Sequence, residues 1–566
     1  MHRDAFSDFH RKGKVIVELS STSSLLGKRK GIHTRFFGEL YKRFSAGTRA
    51  SRRIYDSDVF VGASLTLTNA NDVAKLRAIP GIKSVCPVKV IERPNRSDGF
   101  RERKTILANH DDASTPVRAT ERHCGALELT LAPGIDYTHP ALGAGFGPGH
   151  KVAVRGTHVA GIIGANPGDA QGVVGVVPDA SLYVYRVFGW EGQVDDDVTV
   201  AALLRAFSDG NDTITLSLGG MDSWTESTTS VVAPRVAEHG RVVTVSVGNG
   251  GDNTGAWTTE SPSGGINVIA VGSVDVPEIE NGELVSNFSG YGPSYDMFFK
   301  PAVTAPGGNI KSLWPVKMGS FKLLSGTLMS TPHAAASAHN GACAYRRMRD
   351  RLETMSRWVP QSKAKGARPH TLIQQGAGLI DAWDAIHYET VVAPGELLLN
   401  ATHWKTWHTV FTTNTGKQAR TYALKHVPAG TANTPIPGSV QVAQYPVPQD
   451  NSVAARVHIA QATVTVQPGA TARVAVSKLP PANADARLLP TVSGFIEVAA
   501  AVGTETLRTR HGRERIKQAR VSAPGLLGHR QVDSRASMSG VRGYDGLRPY
   551  SHMSLSAGRS DASERD

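Results

Sequence analysis

Hydrophobic and polar positions divide the chain into zones with different periods. Between residues 14 and 95, strand-like runs such as KVIVEL and GASLTLT interleave with helical spacing in HTRFFGELYKRFSA and NDVAKLRAIPG, before a final strand, IKSVCPVKVI. Asn71 or Asp72 is placed to cap the second helix. If RRIYDSDVFVG supplies the hairpin, the order is strand-helix-strand-strand-helix-strand, a split βαβ unit of α+β type. Residues 96–120 are charged and rich in turn formers, which predicts an exposed linker.

Between residues 121 and 388 the pattern changes to apolar, β-branched runs separated by amphipathic helical segments: ALELTLA, SLYVYRVF, NDTITLSLGG, RVVTVSVGNGG and NVIAVGSV. Strands that read as continuously apolar are buried on both faces, so this zone predicts a doubly wound α/β domain around a parallel sheet. From residue 389 the period becomes two, as in ATVTVQPGATARVAVSKL, and predicts an antiparallel β-sandwich. The alternation breaks near Val502, so the sandwich is expected to be incomplete and residues 503–566 to form a basic, disordered tail.

Composition changes this picture little. A hydrophobic fraction of 40%, with 58 Gly and 31 Pro among 566 residues, suits a loop-rich globular chain of several domains. The net charge of +13 raises a nucleic-acid partner, but residues 508–566 alone carry twelve Lys and Arg against six Asp and Glu. No zinc-finger spacing or RNA-binding signature accompanies the charge, so no nucleic-acid partner is expected. No apolar run reaches the ~18 residues of a membrane span. The first thirty residues lack the apolar core of a secretory signal. Three cysteines, Cys86, Cys124 and Cys343, cannot build a disulfide framework.

The motifs are more specific. GIDYTHPALG follows one strand, GTHVAGIIGAN opens a helix, ITLSLGG and SVGNGG end strands, and SGTLMSTPHAAASA enters a helix. In this order they resemble the subtilase family of serine peptidases, in particular secreted fungal enzymes with an inhibitor-like propeptide and a C-terminal fibronectin-like domain. The resemblance spans roughly residues 14–500. It implies a subtilisin-like α/β fold at 121–388, an inhibitor-like propeptide domain at 14–95 and a fibronectin-like β-sandwich at 389–502. It also implies a polypeptide substrate or peptide ligand, an extracellular location and a monomer that pairs with its own propeptide. No cofactor is required; calcium is a familiar stabiliser of the family, but no metal-ligand set can be mapped.

The chemistry of such enzymes needs a serine hydroxyl, a histidine base, an aspartate that orients it and an amide that holds the oxyanion. The resemblance places the acid at Ala132, the base at Arg155 and the nucleophile at Leu328, so all three catalytic positions are substituted. A guanidinium stays protonated and cannot accept the nucleophile's proton. Other matched positions persist: Asn249 for the oxyanion, and Ser217, Leu218 and Gly219 for pairing with substrate backbone. A displaced triad of Asp136, His158 and Ser330 is disfavoured, because Ser330 points ~200° around its helix from position 328.

The expectation is therefore a serine endopeptidase homologue that is catalytically inactive as written. Two rivals stand beside it. One is an active secreted endopeptidase whose sequence is mis-assembled, as the missing signal and a short GHKVAVRGTH segment suggest. The other is a non-catalytic peptide-binding or inhibitory protein.

Overall fold

The computed structural model describes residues 13–20, 29–44, 49–69, 72–92, 126–129, 136, 138–142, 156–167, 171–180, 182–188, 193–340, 345–398, 406–439 and 441–514. Four antiparallel strands form the N-terminal sheet in the order Arg49–Asp56, Val61–Leu67, Lys14–Leu19, Ile82–Pro87. Helices Arg29–Arg43 and Val73–Arg77 complete the unit. Alternation along the strands divides its work. Val15, Val17 and Leu19, with Ala63 and Leu65, pack against Phe36, Leu40 and Leu76 of the helices. Ile16, Glu18 and Ser64 occupy the opposite phase and serve the second face.

That second face lies on the central domain. Ile16 and Tyr55 share a core cluster with Val200, Leu203 and Val232 of helices Asp196–Ser208 and Thr228–Glu238. Glu18 accepts from Arg235 at 2.8 and 3.3 Å and from Lys83 at 2.8 Å. Ser64 Oγ donates to Asp197 Oδ2 at 2.7 Å, and Tyr55 OH to the Asp197 carbonyl at 3.0 Å. The zone ends in the short strand Val90–Glu92, which pairs antiparallel with Gln193–Asp195 of the central domain.

The central sheet runs Val303–Gly308, Ile269–Asp275, Val242–Ser246, Thr213–Leu216, Ala126–Leu129, Leu182–Val184, with parallel pairing throughout. Every residue of Thr213–Leu216 and Val242–Ser246 is buried, as expected for strands covered on both faces. Helix Thr327–Asn340 packs on four of these strands and on helix Gly156–Gly164. The α/β expectation for this zone holds.

The C-terminal zone is a β-sandwich of two sheets. One contains Thr390–Ala393, Trp407–Asn414, Thr471–Leu479 and Arg456–Ile459; the other is built on Thr506–Glu514, Thr491–Ala500, Arg420–Pro428 and Thr463–Val466. The expected break at Val502 is corrected here, because Thr506–Glu514 pairs along almost the whole length of Thr491–Ala500. This strand, TLRTRHGRE, looked like the start of a basic tail because several of its charged residues are in fact interior. Arg510, 1% exposed, reaches Glu353 Oε1 at 3.2 Å and also pairs with Glu396. A buried cation is tolerated only with such partners. The sheet position of residues 506–514 thus overrides their composition, while the rest of the expected tail lies outside the described residues.

Candidate functional site

The parallel sheet brings several loops together at its C-terminal edge, where open α/β sheets bind ligands. Strand Thr213–Leu216 leads into Ser217, Leu218 and Gly219; strand Val242–Ser246 leads into Gly248 and Asn249. Gly248 has φ +103°, a conformation that favours glycine and turns the chain sharply before Asn249. Beside them, Gly326 N donates to Gly307 O at 2.8 Å and helix Thr327–Asn340 begins.

At the head of that helix the side-chain amide of Asn249 is held by its oxygen. Oδ1 accepts from Thr327 N at 2.9 Å and from Thr327 Oγ1 at 3.0 Å. This leaves the Nδ2 donor on the side of the helix start, 3.3 Å from where a Cβ on Gly326 would stand. Leu328 Cδ1 lies 3.6 Å from the same point. Ser217 Oγ donates to the Leu328 carbonyl at 3.0 Å, tying the two loops together. Leu328 is 5% exposed and belongs to the main hydrophobic core. Leu218 is also a core residue, and its carbonyl accepts from Ser246 Oγ at 3.1 Å.

The structure thus gathers Asn249, Ser217, Leu218, Gly219 and Leu328. Ala132 and Arg155 lie outside the described residues. The displaced trio is dispersed. Asp136 is buried and accepts from Thr138 Oγ1 at 2.5 Å and from Val316 N at 2.9 Å. Burial alone would raise its carboxyl, but these hydrogen bonds hold it below the usual carboxylate range. His158 Nε2 faces the carbonyls of Ile310 and Lys322, at 3.1 and 3.0 Å. Ser330 Oγ is buried against Gly307, where a Cβ would come within 1.9 Å of it. These three side chains serve three separate packing problems.

One site residue escaped the sequence reading. Glu260 N donates to Val247 O at 2.9 Å, and its carboxyl packs against Gly219 and Gly248. Burial pushes this carboxyl up to about 7, opposed only by the Asn249 backbone N–H. The available signal was a single acidic residue in TTESPSGG, between two apolar strands, which no motif singled out.

Comparison with known proteins places this edge in context. Residues 151–378 match the model described as the subtilase family, and residues 398–509 match an Fn3-like domain. Subtilisin E of Bacillus subtilis strain 168 is 32% identical over 367 residues, which cover 62% of this chain and 86% of the relative. This chain belongs to the subtilase family. Subtilisin NAT of Bacillus subtilis subsp. natto matches with the same identity and coverage. The minor extracellular protease Vpr of Bacillus subtilis is 28% identical over 320 residues, and the match spans 38% of its length.

In this subtilase the cleft edge already carries a strand of the chain itself. Ile91, in Val90–Glu92, lies 3.5 Å through Cγ1 from the point where a Cβ on Gly220 would stand. Gly220 in turn exchanges backbone hydrogen bonds with Ser261, at 3.1 and 3.0 Å. Among the described residues no group of three or more His, Cys, Asp or Glu could hold a metal ion, so nothing in the site's chemistry is assigned to calcium. No described helix is long and apolar enough to cross a membrane.

Proposed function

We propose that this subtilase is a catalytically silent member of a peptidase family, which holds extended polypeptide in its cleft without cleaving it. The observation that carries the reading is Leu328, an aliphatic side chain packed into the core at the helix head where the family resemblance calls for the nucleophile. A carbon side chain can form no acyl ester. Arg155 and Ala132, at the base and acid positions, supply neither a proton acceptor nor a carboxylate.

The binding parts support retention of a ligand. The pairing of Val90–Glu92 with Gln193–Asp195 is strand addition, in which backbone hydrogen bonds supply affinity and side-chain pockets supply selectivity. Asn249 presents an amide donor to the same cleft. The N-terminal domain acts as this subtilase's own inhibitor-like propeptide, docked through Glu18, Ser64 and Tyr55. The protein works outside the cell as a monomer, on polypeptide rather than nucleic acid, and without a cofactor. One of the relatives described above is named as extracellular.

A fluorophosphonate probe tests the reading, because labelling requires an activated serine. The expected result is no labelling of the full chain above that of its heat-denatured control. Stoichiometric labelling of any serine, together with hydrolysis of casein, would overturn it.

A further inference from the structure

Alternation along the strands of the C-terminal sandwich puts basic residues where an interior calls for apolar ones. In Trp407–Asn414 and Thr471–Leu479 the inward positions hold Val410, Val474 and Val476, but also His408 and Lys478. In the facing sheet His426 continues the phase of Tyr422 and Leu424, and His511 that of Leu507. Gly494 stands opposite His511 in the ladder. Nε2 of His426 and Nε2 of His511 each lie 3.0 Å from the point where a Cβ on Gly494 would stand. The glycine therefore leaves both nitrogens facing one gap.

These nitrogens lack what interior polar atoms require. His426 Nε2 and both ring nitrogens of His511 are buried without a hydrogen-bond partner among the described residues, and His511 is 0% exposed. A neutral imidazole carries one donor and one acceptor, so His511 alone leaves one of each unmet. Unmet groups of this kind are uncommon and costly, and each calls for an explanation. The charge around them is one-sided as well. The charged groups that bear on His511 are Lys478, His426 and His408, and only Lys478 bears on His426. The residues paired with them in the sheet, Leu397 beside His511 and Ile496 beside His426, are apolar. No carboxylate bears on either ring. A divalent metal would find two imidazoles with an amine beside them and neither carboxylate nor thiolate, whereas an anion finds basic side chains from both sheets. His426 keeps part of its surface exposed, which gives a small solute a route in from solvent.

We propose that this end of the sandwich interior is a binding site for one small oxyanion, a sulfate, phosphate or carboxylate, held by His426, His511 and Lys478 and taken up together with a proton. The ligand's oxygens accept from the two Nε2–H groups across the gap beside Gly494. The proton comes from solvent and makes one imidazole an imidazolium, so the contacts become charge-assisted hydrogen bonds in a water-poor site. Anion and proton each supply the charge that the other needs. Without the anion, burial keeps the rings neutral.

The test uses the full chain and equilibrium dialysis of radiolabelled sulfate and, separately, radiolabelled acetate, with sodium chloride holding the ionic strength constant. Sulfate keeps its full charge across the range used. At pH 5.5 at least one of the two should bind at one per chain, sulfate marking a tetrahedral oxyanion and acetate alone a carboxylate. Its affinity should fall about tenfold or more by pH 7.5, because a proton taken up with the ligand changes the affinity by up to tenfold per pH unit. His511→Leu and Lys478→Met keep the interior filled and remove a donor; each should weaken binding at pH 5.5 about tenfold or more.

Binding of neither anion at either pH refutes the proposal. Binding that both variants leave unchanged refutes it too, because the anion then sits on the basic surface of the chain. Affinity for zinc chloride that rises with pH and is lost in His511→Leu, with no uptake of sulfate or acetate, replaces the anion with a metal held by the two imidazoles. If His511→Leu fails to fold, Lys478→Met and the direction of the pH dependence in the parent chain decide: anion binding that does not weaken between pH 5.5 and 7.5 overturns the coupled proton.

Discussion

Replacing Leu328 by Ser places a hydroxyl at the helix head, and the structure says what this should do. The Leu328 side chain is almost wholly buried in the main core, with Cδ1 near the Gly326 turn. Truncating a buried leucine to alanine costs about 2–5 kcal/mol, because apolar contact is lost and a cavity remains. A new buried hydroxyl without a partner adds about 1–3 kcal/mol, but the Asn249 amide stands beside this position and can meet it. A net loss of roughly 2–4 kcal/mol therefore follows for the first turns of helix Thr327–Asn340. Hydrogen exchange of peptides covering that helix reads this directly as faster local opening. The same variant should remain unlabelled by fluorophosphonate. His158 is committed to the Ile310 and Lys322 carbonyls, and Arg155 cannot act as base. Exchange unchanged to within about 0.5 kcal/mol would refute the packing argument. Strong labelling of the variant would refute the argument that the hydroxyl has no base.

Two further perturbations test other parts of the molecule. The rings of His426 and His511 lie 5.1 Å apart, tilted by 34°, inside the C-terminal sandwich near Lys478. Burial lowers His426 to about 4, His511 well below its ordinary value and Lys478 to about 6. Both histidines are neutral when folded and take up protons near pH 6.5 when unfolded, so their contribution is complete above pH 6.5 and is lost as the pH falls through their lowered folded values, about 4 for His426. For His426 the loss at pH 5 is roughly 2 kcal/mol, and His426→Gln should flatten urea midpoints measured between pH 7 and 5; an unchanged pH slope would contradict it. At the domain junction, Arg235→Ala leaves Glu18 with Lys83 as its remaining salt-bridge partner. Breaking a largely buried pair costs about 3–5 kcal/mol, less here because Lys83 stays, so residues 14–92 should exchange hydrogen about ten- to a hundredfold faster. Protection equal to that of the parent chain would mean that the other junction contacts, the apolar packing of Ile16 and Tyr55, the hydrogen bonds to Asp197 and the pairing of Val90–Glu92, hold the domain without Arg235.

The sequence by itself determined the elements and much of their arrangement. Alternation in KVIVEL separates Val15, Val17 and Leu19 from Ile16 and Glu18, and the continuous apolar runs around Ile214 and Val243 require a sheet covered on both faces. Helical spacing was enough to turn Ser330 away from Leu328. That residue 328, at the head of a small-residue helix, is an aliphatic leucine is written in the chain and needs no coordinates. These properties are local, set by side-chain chemistry and by periods of two or 3.6 residues.

Only the tertiary structure decided the rest, because each remaining feature depends on groups far apart in sequence meeting at one point. Thr506–Glu514 has the composition of a solvated tail until Arg510 meets Glu353 and Glu396 in the interior. Glu18 reads as an ordinary polar strand position until Arg235, more than two hundred residues later, arrives beside it. Glu260 reads as a loop acid until Gly219 and Gly248, from two other strands, enclose its carboxyl. The cost of burying a charge depends on its surroundings and not on its neighbours in the chain, so where these charges lie could be settled only by the fold.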